Sequence, residues 1–156
     1  MYNIDLHRIN IKIMNYKFKI LSEKNINEIV FLVEKLNEKK IKKNVLIERQ
    51  KEMFSQNYQC IGVFHASTLI GIVGLWFQTR LYSGRSCELD HVYILPEYRR
   101  FGLGSKLISF VEEYVCKKGF ECLELNTYSQ NTLSHKFYYN NGFKILGFHF
   151  IKHIVI

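Results

Sequence analysis

Arg99, Arg100, Phe101, Gly102, Leu103, Gly104 and Ser105 form a run whose residue types and spacing could hold a phosphate or pyrophosphate. The run follows the apolar stretch Val92-Tyr93-Ile94-Leu95, which reads as a strand, and a break at Pro96, and it leads into a helical pattern. A helix N-terminus carries unpaired backbone N–H groups and a partial positive charge, so it binds anions. Glycine at positions 102 and 104 removes side chains that would hold a phosphate away from those groups. The two arginines add fixed charge and forked donors at the same place. Upstream on the same strand stand Glu88 and Asp90, two residues apart and therefore on one face.

Other glycine motifs fit less well. A P-loop ends in Gly-Lys-Ser/Thr, and here the order is Gly104-Ser105-Lys106. A dinucleotide fingerprint needs a third glycine where Leu107 stands. Arg99-x-x-Gly102-x-Gly104 instead resembles the Gln/Arg-x-x-Gly-x-Gly/Ala signature of the GNAT acetyltransferases. Further on, Asn131, Ser134 and Tyr138, followed by Gly142-Phe143, resemble the family's second signature, Asn-x-x-Ala-x-x-x-Tyr before a Gly-Phe helix stop. Ser134 replaces the alanine, a small residue for a small one. The two signatures stand in the family's order, separated by one helix and one strand. The resemblance covers roughly residues 86 to 150 well and the first half by element order.

The resemblance implies an α/β GNAT fold: a mixed, mostly antiparallel sheet of about six to seven strands with helices on both faces. One strand pair, Glu88–Leu95 and Glu121–Thr127, would splay apart to bind coenzyme A. It implies an acetyl-CoA-dependent N-acetyltransferase that moves the acetyl group directly to a primary amine in a ternary complex. Backbone groups of Val92, Tyr93 and Ile94 would hydrogen-bond the pantetheine arm, and residues 99–105 would hold the pyrophosphate. Asn131 would contact the arm or order water, with a helix N-cap as the competing role. Tyr138 would give a proton or hydrogen bond to the coenzyme sulfur, or else pack on the sheet as an ordinary helix aromatic. Asp90, then Glu88, would take the amine's proton; either could instead anchor an ammonium or pair with Arg80 or Arg85. His91 has a suitable pKa but points away from Asp90 in a regular strand.

The elements that must position these groups follow from periodicity. Tyr16 to Leu21 alternates as a strand, with Ser22 as a helix cap. Ile26, Ile29, Val30, Val33 and Leu36 give an amphipathic helix. A second helix covers about 44–55, and helices here would form the substrate-facing lip. Residues 58–65 and 70–80 read as a hairpin, 86–95 as the next strand, about 102–118 as a helix, and then come a strand, a helix and a last strand over 143–151 that could extend into 154–156. Residues 1–15 would form an extra strand or an arm of a single domain spanning 1–156.

Composition narrows the classes. The chain has 156 residues, 47% hydrophobic, which suits one domain with a real core. The longest apolar run, Ile70 to Phe77, is too short for a membrane span, and Met1 to Asn10 lacks a signal peptide's apolar centre. Four cysteines without C-x-x-C spacing and six histidines without ligand spacing predict reduced thiols, no metal and a cytoplasmic protein. The net charge of +8 comes largely from the first fifty residues and reads as solvated helix ends; no aromatic-interleaved motif points to nucleic acid. The expected state is a monomer or homodimer. The alternatives are a CoA-binding regulatory module without turnover and an acetyltransferase of a protein or RNA-associated substrate.

Overall fold

Five strands form one sheet in sequence order: β1 (Tyr16–Leu21), β2 (Tyr58–His65), β3 (Thr68–Arg80), β4 (Gly84–Ile94) and β5 (Cys122–Leu125). The first three neighbouring pairs are antiparallel, and the sheet as a whole is mixed. The computed structural model describes residues 15–100 and 102–154. These fall into two units, one ending at Glu124 and a smaller one starting at Leu125.

The central strands are apolar on successive residues because both faces are covered. Ile61, Ile70, Ile72, Val73 and Leu75 are fully buried. On one face, helix α1 (Ile26–Leu36) sets Ile29 and Leu32 against Leu21, Tyr58, Cys60, Ile72 and Tyr93. Helix α2 (Lys43–Phe54) joins α1 by packing Leu46 with Ile26 and Val30. On the other face lies α3 (Leu103–Lys117): Phe110 stacks on Phe18 at 4.8 Å, and Tyr114 donates to Gln59 Oε1 at 2.7 Å. Phe18 and Gln59 have opposite strand parity to Leu21 and Cys60, so the two sets of helices sandwich the sheet. Fully burying one such Ile or Leu is worth about 2–3 kcal/mol.

One irregularity positions the site. Gly74 pairs with Asp90 and Ile72 pairs with Tyr93, so His91 and Val92 together oppose Val73. This is a β-bulge, and His91 adopts φ +34° there. The β5 end of the sheet is clasped at the start of β4: Glu121 N–H donates to the Arg85 carbonyl at 2.8 Å, and Arg85 N–H donates to Glu121 Oε2 at 2.8 Å. With four residues against the eleven of β4, β5 can pair with only part of its neighbour.

The smaller unit holds α4 (Thr132–Asn140), which ends at Asn141 as its Asn-Gly stop requires. The last expected strand is a correction. Residues 143–154 carry no regular structure, and the sheet has five strands among the described residues rather than six or seven. Alternation permits a half-buried strand, but a strand exists only where an edge accepts its hydrogen bonds. The expectations for residues 1–14, 155–156 and Phe101 lie outside the described residues.

Candidate active site

The turn expected to cradle a phosphate is built as Gly102 requires. Pro96–Tyr98 makes a 3-10 turn, Arg100 and Gly102 take left-handed φ values of +70° and +75°, and Gly102 stands at the N-cap of α3. An L side chain is strained at that φ, and a Cβ built on Gly102 would meet nothing within 4 Å, so the space before the helix is open. Leu103 is 1% exposed and pins the first turn to the core, leaving its backbone N–H and those of Gly104 and Ser105 at the helix start. The first helical hydrogen bond runs from Lys106 N–H to the Gly102 carbonyl at 3.1 Å. Arg100 and Ser105 are exposed. An open N-terminus with two arginines beside it fits a diphosphate.

Arg99 does a different job from its neighbour. Its Nε–H donates to the Ile94 carbonyl at 2.6 Å, and its guanidinium lies 5.0 Å from the centre of the Tyr93 ring. It therefore fastens the cradle to the end of β4, where Tyr93 and Ile94 are buried and Val92 is half-buried.

The two carboxylates have separate surroundings. Glu88 Oε2 lies 3.3 Å from Arg80 Nη2, and Arg80 Nε lies 3.5 Å from Glu124 Oε1, so Glu88 belongs to a three-residue ionic chain. Asp90 belongs to another group. Its Oδ2 accepts from Trp76 Nε1–H at 3.2 Å and lies 3.3 Å from His91 Nδ1, and its Oδ1 accepts the His91 backbone N–H at 2.8 Å. The other ring nitrogen of His91 lies 2.8 Å from the Tyr58 hydroxyl. The expectation that His91 points away from Asp90 is thus overturned: the bulge rotates the residue onto the face of Asp90 and Gly74. A Cβ on Gly74 would sit 2.5 Å from His91 Cε1, so only glycine leaves room for the ring.

Charge follows contact. Burial opposes ionisation of Asp90, but hydrogen bonds from His91 and Trp76 and the charge of His91 outweigh it and hold the carboxyl down at about 2. Burial also opposes the imidazolium, yet the hydrogen bond and charge of Asp90, with Cys60 alongside, lift His91 to about 9. Burial pushes the Tyr58 phenol well up. Asp90 keeps 47% of its side-chain surface exposed while His91 keeps 10%.

In the smaller unit, burial pushes Tyr138 up to about 12, and its ring packs edge-on against Phe137 and Phe143 at 5.1 and 5.6 Å. Asn131 caps α4: its Oδ1 accepts from Ser134 N–H at 3.2 Å. The sequence reading missed Tyr58, Trp76 and Gly74 and set His91 aside. The adjacency Asp90-His91 was the available signal, but no local pattern marks a bulge there.

Comparison with known proteins agrees with this geometry. The model of the acetyltransferase (GNAT) family matches residues 19–143. The chain is 32% identical over 110 residues to a spermidine N(1)-acetyltransferase of Thermoplasma acidophilum, covering 70% of this chain and 65% of that protein. It is 31% identical over 85 residues to an aminoalkylphosphonate N-acetyltransferase of Salmonella typhimurium, covering 54% of this chain and 55% of the relative. The chain thus spans less than two thirds of the length of either relative. The aminoglycoside N-acetyltransferase AAC(6')-Iy, solved in complex with CoA, shares the fold with a TM-score of 0.78 at 15% identity, over 90% of this chain and 95% of that one. The cradle, the bulged strand before it and the family match together establish that the chain belongs to the acetyltransferase (GNAT) family, a family of acetyl-CoA-dependent N-acetyltransferases.

Proposed function

We propose that this protein transfers an acetyl group from acetyl-CoA to the primary amine of a small cationic acceptor, directly and without an acyl-enzyme. One observation carries the reading: the bulged strand that bears the half-exposed Asp90 runs straight into the open, arginine-flanked N-terminus of α3. The names of both curated relatives carry an alkylamine acceptor, spermidine in one and an aminoalkylphosphonate in the other, which favours a flexible small amine over a protein.

Acetyl-CoA supplies the acetyl group as a thioester, activated toward attack by nitrogen. Arg100 and the N–H groups of residues 102–105 would hold its diphosphate, with Arg99 fixing the turn, and the backbone of Val92 to Ile94 its pantetheine arm. An alkylamine is mostly protonated at neutral pH and cannot attack until it loses a proton. Asp90 is ionised, fixed by Trp76 and half open to solvent, so it can hold the ammonium and hand its proton on to water, since a carboxyl held at about 2 does not keep it. Glu88 is the second choice because Arg80 already neutralises it. Tyr138, its phenol pushed up to about 12, keeps its proton at neutral pH and can give it to the departing sulfur.

The direct test is thiol release from acetyl-CoA over a panel of amines. Turnover with polyamines or aminoalkyl compounds is the expected result; binding of CoA with no turnover on any amine would make the protein a CoA-binding module.

A further inference from the structure

Glu124 is a carboxylate that the reaction above does not use, and it stands beside the strand that carries Asp90. Its Oε1 accepts from Ser83 Oγ–H at 3.4 Å and lies 3.5 Å from Arg80 Nε. The same guanidinium reaches Glu88 Oε2 through Nη2 at 3.3 Å. One cation is thus shared by two carboxylates, and a net negative charge is left over. Glu88 and Glu124 keep 27% and 26% of their side-chain surface exposed, so a ligand can reach both. Along the same face of β4, Asp90 lies about 6.7 Å further on, two residues of strand. Trp76 bridges this interval: it stands directly opposite Glu88, and its indole N–H donates to Asp90 Oδ2 at 3.2 Å.

A separate observation concerns Ser86, the next residue on that face beyond Glu88. It is fully buried, yet its Oγ has no hydrogen-bond partner among the described residues. Such an orphaned hydroxyl is costly. In the register Arg80 pairs with Gly84 and Trp76 with Glu88, so the contact from Arg80 to Glu88 spans the Ser86–Gln78 pair between them. Ser86 Oγ therefore leaves the strand into the middle of the charged cluster.

We propose that this cluster is the second subsite of the acceptor. A linear diamine lies along β4 with its reacting ammonium at Asp90, its methylenes on the Trp76 indole and its far ammonium at Glu88, Glu124 and Ser86. This deepens the acetyl-transfer reading and takes the ammonium at Asp90 from it. A primary ammonium has three N–H donors and no acceptor, and the cluster offers it two carboxylates and one hydroxyl. The interval along β4 is close to the separation of two ammonium groups across about four methylenes. Arg80 is a positioning residue here: it holds the two glutamates together against their repulsion. The leftover charge selects by sign, because a second ammonium neutralises it, an alkyl end leaves it unmet, and an anionic end is repelled by both carboxylates.

The test compares three acceptors of similar length on the wild type: 1,4-diaminobutane, n-butylamine and 3-aminopropylphosphonate. Each is read as kcat/KM by thiol release and as Kd by calorimetric titration into the CoA complex. The diamine should be preferred over the monoamine by roughly tenfold or more, and the phosphonate should come last. Glu124→Gln, which leaves Arg80 paired with Glu88, should remove most of that preference, and Glu88→Gln should act in the same direction. Both losses should fall on the diamine's KM, since the far ammonium is held equally before and during the reaction. A wild type that uses the monoamine as well as the diamine, or prefers the phosphonate, overturns this proposal and leaves acetyl transfer standing. An unchanged preference in Glu124→Gln does the same. Absence of thiol release with every amine overturns the acetyl-transfer reading instead, and the titrations then decide the subsite: equal Kd for diamine and monoamine overturns it too.

Discussion

Replacing Gly74 with alanine adds one carbon atom at the point where β3 makes room for the His91 ring. That carbon would lie 2.5 Å from His91 Cε1, 2.8 Å from His91 Nε2 and 2.9 Å from Tyr58 Cε2. Neither neighbour is a flexible tip: Tyr58 is 5% exposed and the His91 side chain 10%. The ring must shift, and overpacking of this kind costs about 1–3 kcal/mol at any pH. A second loss depends on pH. His91 rises from an ordinary 6.5 to about 9 on folding, which at about 1.4 kcal/mol per pH unit is worth at most about 3 kcal/mol. Because the folded value is the higher one, this stability is fully present below 6.5 and disappears as pH rises through 9. Gly74→Ala should therefore destabilise the protein more at about pH 6 than at about pH 10, by up to about 3 kcal/mol, since displacing the ring removes a contribution that is absent at the higher pH. Urea unfolding of both proteins at the two pH values measures it, and shifts common to both cancel in the difference. Equal destabilisation at both pH values would refute the His91–Asp90 pairing as a stabilising contact.

Saturating CoA, at about a hundred times its Kd, should stabilise the wild type by about 2.7 kcal/mol, or several degrees in Tm, and Gly104→Glu should abolish that shift by placing bulk and negative charge in the cradle. Asp90→Asn should lower the acetylation rate most at neutral pH and recover partly at high pH, where free amine is plentiful; Glu88→Gln should stay near wild type, and the reverse ranking would make Glu88 the proton acceptor. Tyr138→Phe should keep stability and acetyl-CoA affinity while reducing the single-turnover rate by roughly 10²–10⁴; an unchanged rate would return Tyr138 to a packing role.

The turn before α3 was legible because its parts are consecutive: Arg100 and Gly102 take left-handed backbone there and Arg99 ties it to Ile94, and local sequence specifies such a strand-to-helix turn. The carboxylate pair was legible for the same reason, since alternation places Glu88 and Asp90 on one face. What failed was the extrapolation of that alternation by one residue. A bulge at His91 depends on Gly74 leaving room for its ring, seventeen positions earlier and on another strand. Tyr58 was illegible because a buried tyrosine has no local signature until the sheet brings it beside the ring. The last strand was expected from a pattern that fits any half-buried strand, and pattern alone supplies no pairing edge for residues 143–151.

The hydrogen bond from Arg99 to Ile94 explains why the family's signature accepts either glutamine or arginine at its first position. The atom used is Nε, four bonds from Cα, and its partner is a neutral carbonyl at 2.6 Å. Glutamine carries its Nε2–H at the same number of bonds, so it can reach the same oxygen without any charge. Lysine has a methylene there and its ammonium one atom further out. The shared currency at this position is donor reach, and positive charge is secondary. Arg99→Gln should accordingly keep the turn and most CoA affinity, whereas Arg99→Lys, which preserves the charge, should loosen the end of β4 and weaken binding more, as competition titrations with CoA would reveal.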